Sequence, residues 1–189
     1  MRTLFIGDIV GRKARNFVIE KIKEFKENKL FDLIIVNVEN SAGGFGVTPE
    51  ICEDFLLNGA SILTSGNHIW DKQETANYIN KENRLLRPAN LVEGSPGRGF
   101  EIYVSKNKKN KVGVVNLMGN VFMRKTEDVF QEAQKIKKKM ILKKNLDFLV
   151  VDFHGEITSE KMAIGHFFDG VSTCVVGTHT HIPTADTRI

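Results

Sequence analysis

Short apolar runs alternate with amphipathic stretches along the chain, and nearly every apolar run ends in polar residues. Arg2 to Ile6 reads as a first strand, leaving into Gly7-Asp8-Ile9-Val10-Gly11. Phe17, Val18, Ile22 and Phe25 then recur at helical spacing. Leu33 to Val38 is an apolar, β-branched run of the kind buried on both faces, and it exits into Glu39-Asn40. The Gly-rich stretch Ser41 to Val47 is a loop, and Thr48-Pro49 opens a helix with Thr at the N-cap and Pro at N1. That helix ends near Asn58-Gly59. Ala60 to Thr64 is the next strand, and it stops on Ser65-Gly66-Asn67-His68-Ile69-Trp70-Asp71.

Asp71 reads as the N-cap of a helix running to about Asn80. The segments around Arg87-Pro88-Ala89-Asn90 and Ser95-Pro96-Gly97-Arg98-Gly99 are irregular. Phe100 to Val104 and Lys111 to Asn116 read as an antiparallel pair joined by a Lys-rich turn. Thr126 to Lys144 is expected to be the longest helix. Leu146 to Phe153 is a buried strand exiting on His154-Gly155-Glu156, and a short helix follows from Thr158. Ser172 to Gly177 is the last strand, exiting on Thr178-His179-Thr180-His181. This alternation predicts a mostly parallel sheet covered by helices, in one domain spanning residues 1–189.

The composition is that of an ordinary globular chain: 189 residues, 41% hydrophobic and 26% charged. No apolar run approaches the ~20 residues of a membrane span, and the N-terminus is too short in apolar residues for a signal peptide, so a cytoplasmic protein is expected. Cys52 and Cys174 are far apart with no CxxC, which argues for buried free thiols rather than a disulfide or zinc knuckle. The net charge of +4 suits an anionic substrate. The Lys clusters at 106, 108, 109 and 111 and at 135, 137, 138, 139, 143 and 144 carry no interleaved aromatics. They read as solvated faces, with RNA contact the alternative.

The strand exits carry the chemistry. Asp8, Glu39, Asn40, Asn67, His68, His154, His179 and His181 all follow apolar strands, whereas His166 lies within a helix and reads as structural. Ligands bind beyond the carboxyl ends of strands in open α/β sheets. A lone strand-end His is usually a hydrogen-bonded core residue, but five exits all bearing metal-capable groups point to a metal site. The donors are too many for one ion. Two ions ~3.5–4 Å apart and sharing a bridging acid would use them, with Glu39 as the natural bridge. Mixed N/O donors without thiolate suit iron, manganese or zinc, and iron is the metal expected.

Gly7-Asp8, Asn37-Val38-Glu39-Asn40, Gly66-Asn67-His68, His154 and His179-Thr180-His181 together resemble the calcineurin-like metallophosphoesterases. The longer wording, Gly7-Asp8-Ile9-Val10-Gly11, Val38-Glu39-Asn40-Ser41-Ala42, Gly66-Asn67-His68-Ile69-Trp70-Asp71, Arg87-Pro88-Ala89-Asn90 and Asp152-Phe153-His154-Gly155-Glu156, is similar to the YmdB-like phosphodiesterases from Met1 to Ile189. The resemblance implies an α/β fold, a four-layer α/β/β/α sandwich of the metallophosphoesterase type, with further chain expected after Ile189. It places Asp8, Glu39, Asn40 and His181 on one ion, and Glu39, Asn67, His154 and His179 on the other, with His68 as the catalytic imidazole. It implies hydrolysis of cyclic nucleotides of the 2′,3′-cyclic AMP type, a role in RNA turnover and a homo-oligomer.

The expected mechanism is attack by a metal-bridging hydroxide with His68 as general acid. Val10 stands where the wider superfamily has a His, and Asn40 can replace that ligand through its amide oxygen. Asn120 stands where the subfamily tends to have an Arg, for which Arg124 is a substitute. The alternatives are a ribonuclease or phosphomonoesterase on the same centre, or a metal-stabilised RNA- or protein-binding regulator without turnover. Gly43-Gly44-Phe45-Gly46 lacks the GK[ST] ending of a phosphate loop and reads as a mobile rim loop. Gly7 to Gly11 lacks the G-x-G-x-x-G of a dinucleotide site.

Overall fold

The computed structural model describes residues 1–105 and 109–189. The elements are β1 (Thr3–Ile6), α1 (Gly11–Glu27), β2 (Leu33–Asn37), α2 (Pro49–Asn58), β3 (Ile62–Thr64), α3 (Glu74–Tyr78), β4 (Phe100–Val104), β5 (Lys111–Met118), α4 (Val129–Lys139), β6 (Phe148–His154), α5 (Thr158–Phe167) and β7 (Cys174–Thr178).

The strands form two sheets rather than the one that their alternation with helices suggests. One is parallel, in the order β1-β2-β3, and the other has the order β4-β5-β6-β7. In the second sheet β4 runs antiparallel to β5, as its hairpin position predicts, and the other pairs are parallel. Side chains alternate across a strand, and here the alternation builds three apolar layers. Leu33, Ile35 and Ile62 of the first sheet meet Val112, Val114 and Val150 of the second between the sheets. Ile34 and Val36 face the other way, toward Ile22 of α1 and Phe55 of α2. Val115, Leu117, Val151 and Phe153 face Ala133 and Ile136 of α4 and Ile164 of α5. The result is the four-layer α/β/β/α sandwich that the family resemblance implies.

The inner faces change character along their length. Moving toward the carboxyl ends, Ile35 gives way to Asn37, Ile62 to Thr64, Val114 to Asn116, and Val150 to Asp152 and His154, all five of these polar residues fully buried. A buried polar group is costly unless it is hydrogen-bonded, and these bond to one another across the sheets. Asn37 Nδ2 donates to Asp152 Oδ2 at 3.0 Å and the Thr64 hydroxyl donates to the same oxygen at 2.5 Å. Thr178 donates to Asp152 Oδ1 at 2.7 Å.

Several helix boundaries differ from the sequence expectation. The helix expected over 126–144 is α4, only 11 residues long, because Asp128 caps it by accepting from Gln131 N and Asn145 Nδ2 donates to Lys139 O beyond its end. The longest helix is α1, at 17 residues. Lys143 and Lys144 therefore lie outside α4, and Lys106 and Lys108 lie outside the described residues. The helix expected from Asp71 to Asn80 is only the 5 residues of α3. Thr48 caps α2 as expected, accepting from Ile51 N at 3.4 Å. Both cysteines are free, Cys52 buried and Cys174 exposed, which corrects the expectation that both are buried.

The layer between the sheets sets the stability of this architecture. Ile35→Ala is expected to lower unfolding stability by about 2–5 kcal/mol, because Ile35 is fully buried there. Phe17→Ala on α1, where the ring is 61% exposed, is expected to change it by less than about 0.5 kcal/mol. Urea denaturation midpoints of the two variants check both.

Candidate metal centre

Parallel strands bring their carboxyl ends to one edge of the sandwich, and the loops leaving them converge there. Asp8 follows β1, Glu39 and Asn40 follow β2, and Asn67 and His68 follow β3. His154 closes β6, and His179 and His181 follow β7. The structure brings all of these sequence-predicted residues together.

His154 Nε2 is the crowded point. It lies 3.1 Å from Asn67 Oδ1, 3.1 Å from His179 Nδ1 and 3.2 Å from Glu39 Oε2. A second group adjoins it. His181 Nε2 lies 3.2 Å from Asn40 Oδ1 and 3.8 Å from Asp8 Oδ1, and Asp8 Oδ1 is 3.7 Å from His154 Nδ1. Asp8 Oδ1 and Glu39 Oε2 are buried and accept no hydrogen bond. Two orphaned carboxylate oxygens among ring nitrogens and amide oxygens form an electron-rich cluster that a cation satisfies. Among the described residues, no three His, Cys, Asp or Glu side chains alone form a ready cage for an ion. The amide oxygens of Asn40 and Asn67 complete each group.

The surrounding bonds orient these donors. Asn40 Nδ2 donates to Gly44 O at 2.8 Å, which turns its Oδ1 toward His181. Glu39 Oε1 accepts from His68 N at 2.7 Å, leaving Oε2 as the oxygen turned to the cluster. Asp8 Oδ2 accepts from His179 N at 3.0 Å. His179 and His181 adopt left-handed backbone, φ 96° and 56°, a strained state for such side chains that clusters at functional sites. Gly66 sits against the cluster, where a Cβ would collide with Glu39 Oε2 and the His154 ring.

Three residues matter here whose roles the sequence did not disclose. Asp152 lies two positions before His154 on the same face. Burial pushes its carboxyl up to about 6, against the pull of Thr64, Thr178 and the His154 ring. When Asp152 is ionised, Thr178 spends its hydroxyl proton on it, so the Thr178 oxygen accepts from His154 Nδ1 at 3.0 Å. That fixes the tautomer and leaves the Nε2 lone pair facing the cluster. The signal in the sequence was an acid inside the apolar run Leu149-Val150-Val151-Asp152-Phe153. Glu156 is the third, its Oε2 lying 2.9 Å from His179 Nε2. Burial disfavours a charged His154 ring, but Glu39 and Asp8 outweigh it and raise its pKa. His179 is shifted down by burial and by the His154 ring.

Asp71 is not the helix cap that its position suggested. Its Oδ2 lies 2.7 Å from His68 Nδ1, and its Oδ1 pairs with Arg124 Nη2 at 3.0 Å. Burial raises its pKa, but the bond to His68 and the charge of Arg124 prevail and hold it down. An ionised Asp71 can only accept, so His68 carries a proton on Nδ1, and its Nε2 is left clear of that bond. Asn120 is a scaffold residue. It donates to Thr126 Oγ1 and Glu127 O, and it accepts from Val129 N at the start of α4. Arg124 of the same segment pairs with Asp71. His166 stays apart on α5, with its Nε2 3.3 Å from Arg188 Nη1.

Known proteins resemble this chain. The profile of a family described as YmdB-like protein matches residues 4–189. The 2′,3′-cyclic-nucleotide 2′-phosphodiesterase of Bacillus subtilis (strain 168) is 42% identical over 189 residues, which is 100% of this chain and 70% of that protein. A protein of Thermus thermophilus superposes with TM-score 0.89 at 33% identity, covering 100% of this chain and 72% of the other. A phosphatase of Mycoplasma pneumoniae gives TM-score 0.87 at 35% identity, covering 100% and 67%. The 5′-nucleotidase of Candida albicans SC5314, at 14% identity and TM-score 0.56 over 89% of this chain and 38% of its own, shares the fold.

Thr178→Val keeps the shape of the side chain and removes the hydroxyl that joins Asp152 to His154. It is expected to destabilise the protein by about 1–3 kcal/mol, and nitrogen NMR is expected to show His154 losing its single tautomer. Thr178→Ser is expected to retain both properties.

Proposed function

Because the chain belongs to the YmdB-like family, we propose that it is a metal-dependent phosphodiesterase that opens nucleoside 2′,3′-cyclic phosphates. The observation that carries the reading is the pair of buried carboxylate oxygens of Asp8 and Glu39, without hydrogen bonds, among the donors of Asn40, Asn67, His154, His179 and His181. The name of the Bacillus subtilis relative supports the substrate class.

In this reading Asp8, Glu39, Asn40 and His181 would hold one ion, and Glu39, Asn67, His154 and His179 the other, iron being the first choice and manganese or zinc the others. Bound cations supply Lewis acidity, which lowers the pKa of a water and neutralises phosphate oxygens. The protein does the rest. Water adds to phosphorus as the P–O2′ bond breaks, and His68 Nε2 gives its proton to the departing O2′. Asp71 holds the Nδ1 proton and stabilises the imidazolium that precedes this transfer. Proton transfer of this kind contributes ~10²–10⁴-fold. Gly66 permits Glu39 and His154 to approach, and Thr178 keeps the His154 lone pair directed inward. The reading places the protein in the cytoplasm; among the described residues no helix is long and apolar enough to cross a membrane.

The test compares 2′,3′-cyclic AMP, p-nitrophenyl phosphate and RNA as substrates for the unaltered protein and for His68→Ala. The cyclic nucleotide is expected to be turned over fastest, and His68→Ala to lower kcat by ~10²–10⁴-fold with metal content unchanged. Preference for the monoester or for RNA contradicts the substrate assignment. Loss of metal together with activity contradicts the role of His68.

A further inference from the structure

The loop between β2 and α2 is built to hold one aromatic ring at the rim of the site. Hydrogen bonds close the loop on itself. Ala42 N donates to Gly46 O at 2.9 Å, Gly44 N donates to Asn40 O at 3.1 Å, and Asn40 Nδ2 returns a bond to Gly44 O. Gly43, Gly44 and Gly46 all have positive φ, of 72°, 100° and 75°, conformations that favour glycine. This tight turn raises Phe45 at its apex. A Cβ on Gly46 would meet His68 O at 3.0 Å and Lys72 Cγ at 3.2 Å, so the turn packs closely on the segment that carries His68.

Phe45 is 58% exposed, yet its ring lies 5.0 Å from the His68 ring, centroid to centroid, with the planes at 67°. Leaving a large apolar ring in water forgoes burial free energy, and here the backbone is arranged to keep it there. The Asn40 side chain that turns its oxygen toward His181 also fixes this loop. The ring's position is therefore tied both to the metal-capable cluster and to the proton-transfer imidazole.

We propose that Phe45 is the platform on which the base of the substrate stacks, so that the site selects nucleoside cyclic phosphates over base-free phosphodiesters. The inference rests on the phosphodiesterase reading above. Every nucleobase has a π-face, so stacking on one ring is tolerant of base identity. The four nucleoside 2′,3′-cyclic phosphates are therefore accepted within a few-fold of one another. With His68 beside the ring, a stacked base leaves the ribose phosphate within reach of the imidazole.

Steady-state kinetics on 2′,3′-cyclic AMP and on the 2,3-cyclic phosphate of 1-O-methylribose, with metal content measured for each protein, test this. Phe45→Ala is expected to lower kcat/KM for the nucleotide about 10- to 100-fold, mainly through KM, and for the base-free substrate by a few-fold at most. Phe45→Trp is expected to retain the preference for the nucleotide. Equal losses on both substrates mean that the ring serves His68 instead and overturn the proposal, as does no loss on either. Failure of the unaltered protein to turn over either substrate overturns the phosphodiesterase reading and this proposal with it.

Discussion

One buried carboxylate joins the two halves of this protein. Asp152 stands on β6 and accepts from Asn37 and Thr64 of the other sheet and from Thr178 of its own. A charge placed between two sheets without such donors would destabilise the pair strongly. With them, the carboxyl ends of β2, β3, β6 and β7 are held in a single register. The same carboxylate then reaches the site through the Thr178 hydroxyl, which sets the tautomer of His154. The bond that aligns the sheets thus also aims a metal-capable nitrogen.

The apolar and polar halves of the inter-sheet layer divide the work. Leu33, Ile35, Val112 and Val114 supply the burial that drives the sheets together. Their polar successors Asn37, Asn116 and Asp152 contribute little net stability and much geometry. Each is held by hydrogen bonds, with Asn116 Oδ1 accepting from Ser65 N at 3.2 Å beneath the β3 exit. Beyond this floor the backbone is less regular, and the left-handed turns at His179 and His181 are tolerated because Asp8 and Asn40 face them.

The donor set was legible in the sequence because strand exits are local. A run of apolar residues followed by Asp, Glu, Asn or His can be read without knowing the pairing of the strands, and Asp8, Glu39, Asn40, Asn67, His154, His179 and His181 all came from that pattern. Which strands pair was not legible. β3 and β4 look like successive strands of one sheet, but residues 65–99 carry the chain across to a second one, with isolated bridges such as Leu63 to Leu85 and Leu86 to Arg98 along the way. Asp71 was misread for a related reason. A carboxylate at a helix start is ordinarily a cap, but here the local turn sets Asp71 against His68, three residues earlier, and the fold brings in Arg124. Asp152 and Thr178 were in view in their motifs, but their roles depend on contacts between strands, across the sheets for Asp152 and between β6 and β7 for Thr178.

The central claim is that seven side chains from five strand ends gather around two ions. Elemental analysis of protein purified without chelators, read beside hydrolysis of 2′,3′-cyclic AMP, tests it most directly. The account predicts about two metal ions per chain, lost together with activity on chelation and regained together on adding the metal back. Protein that carries only trace metal and still hydrolyses the cyclic nucleotide at full rate would contradict it.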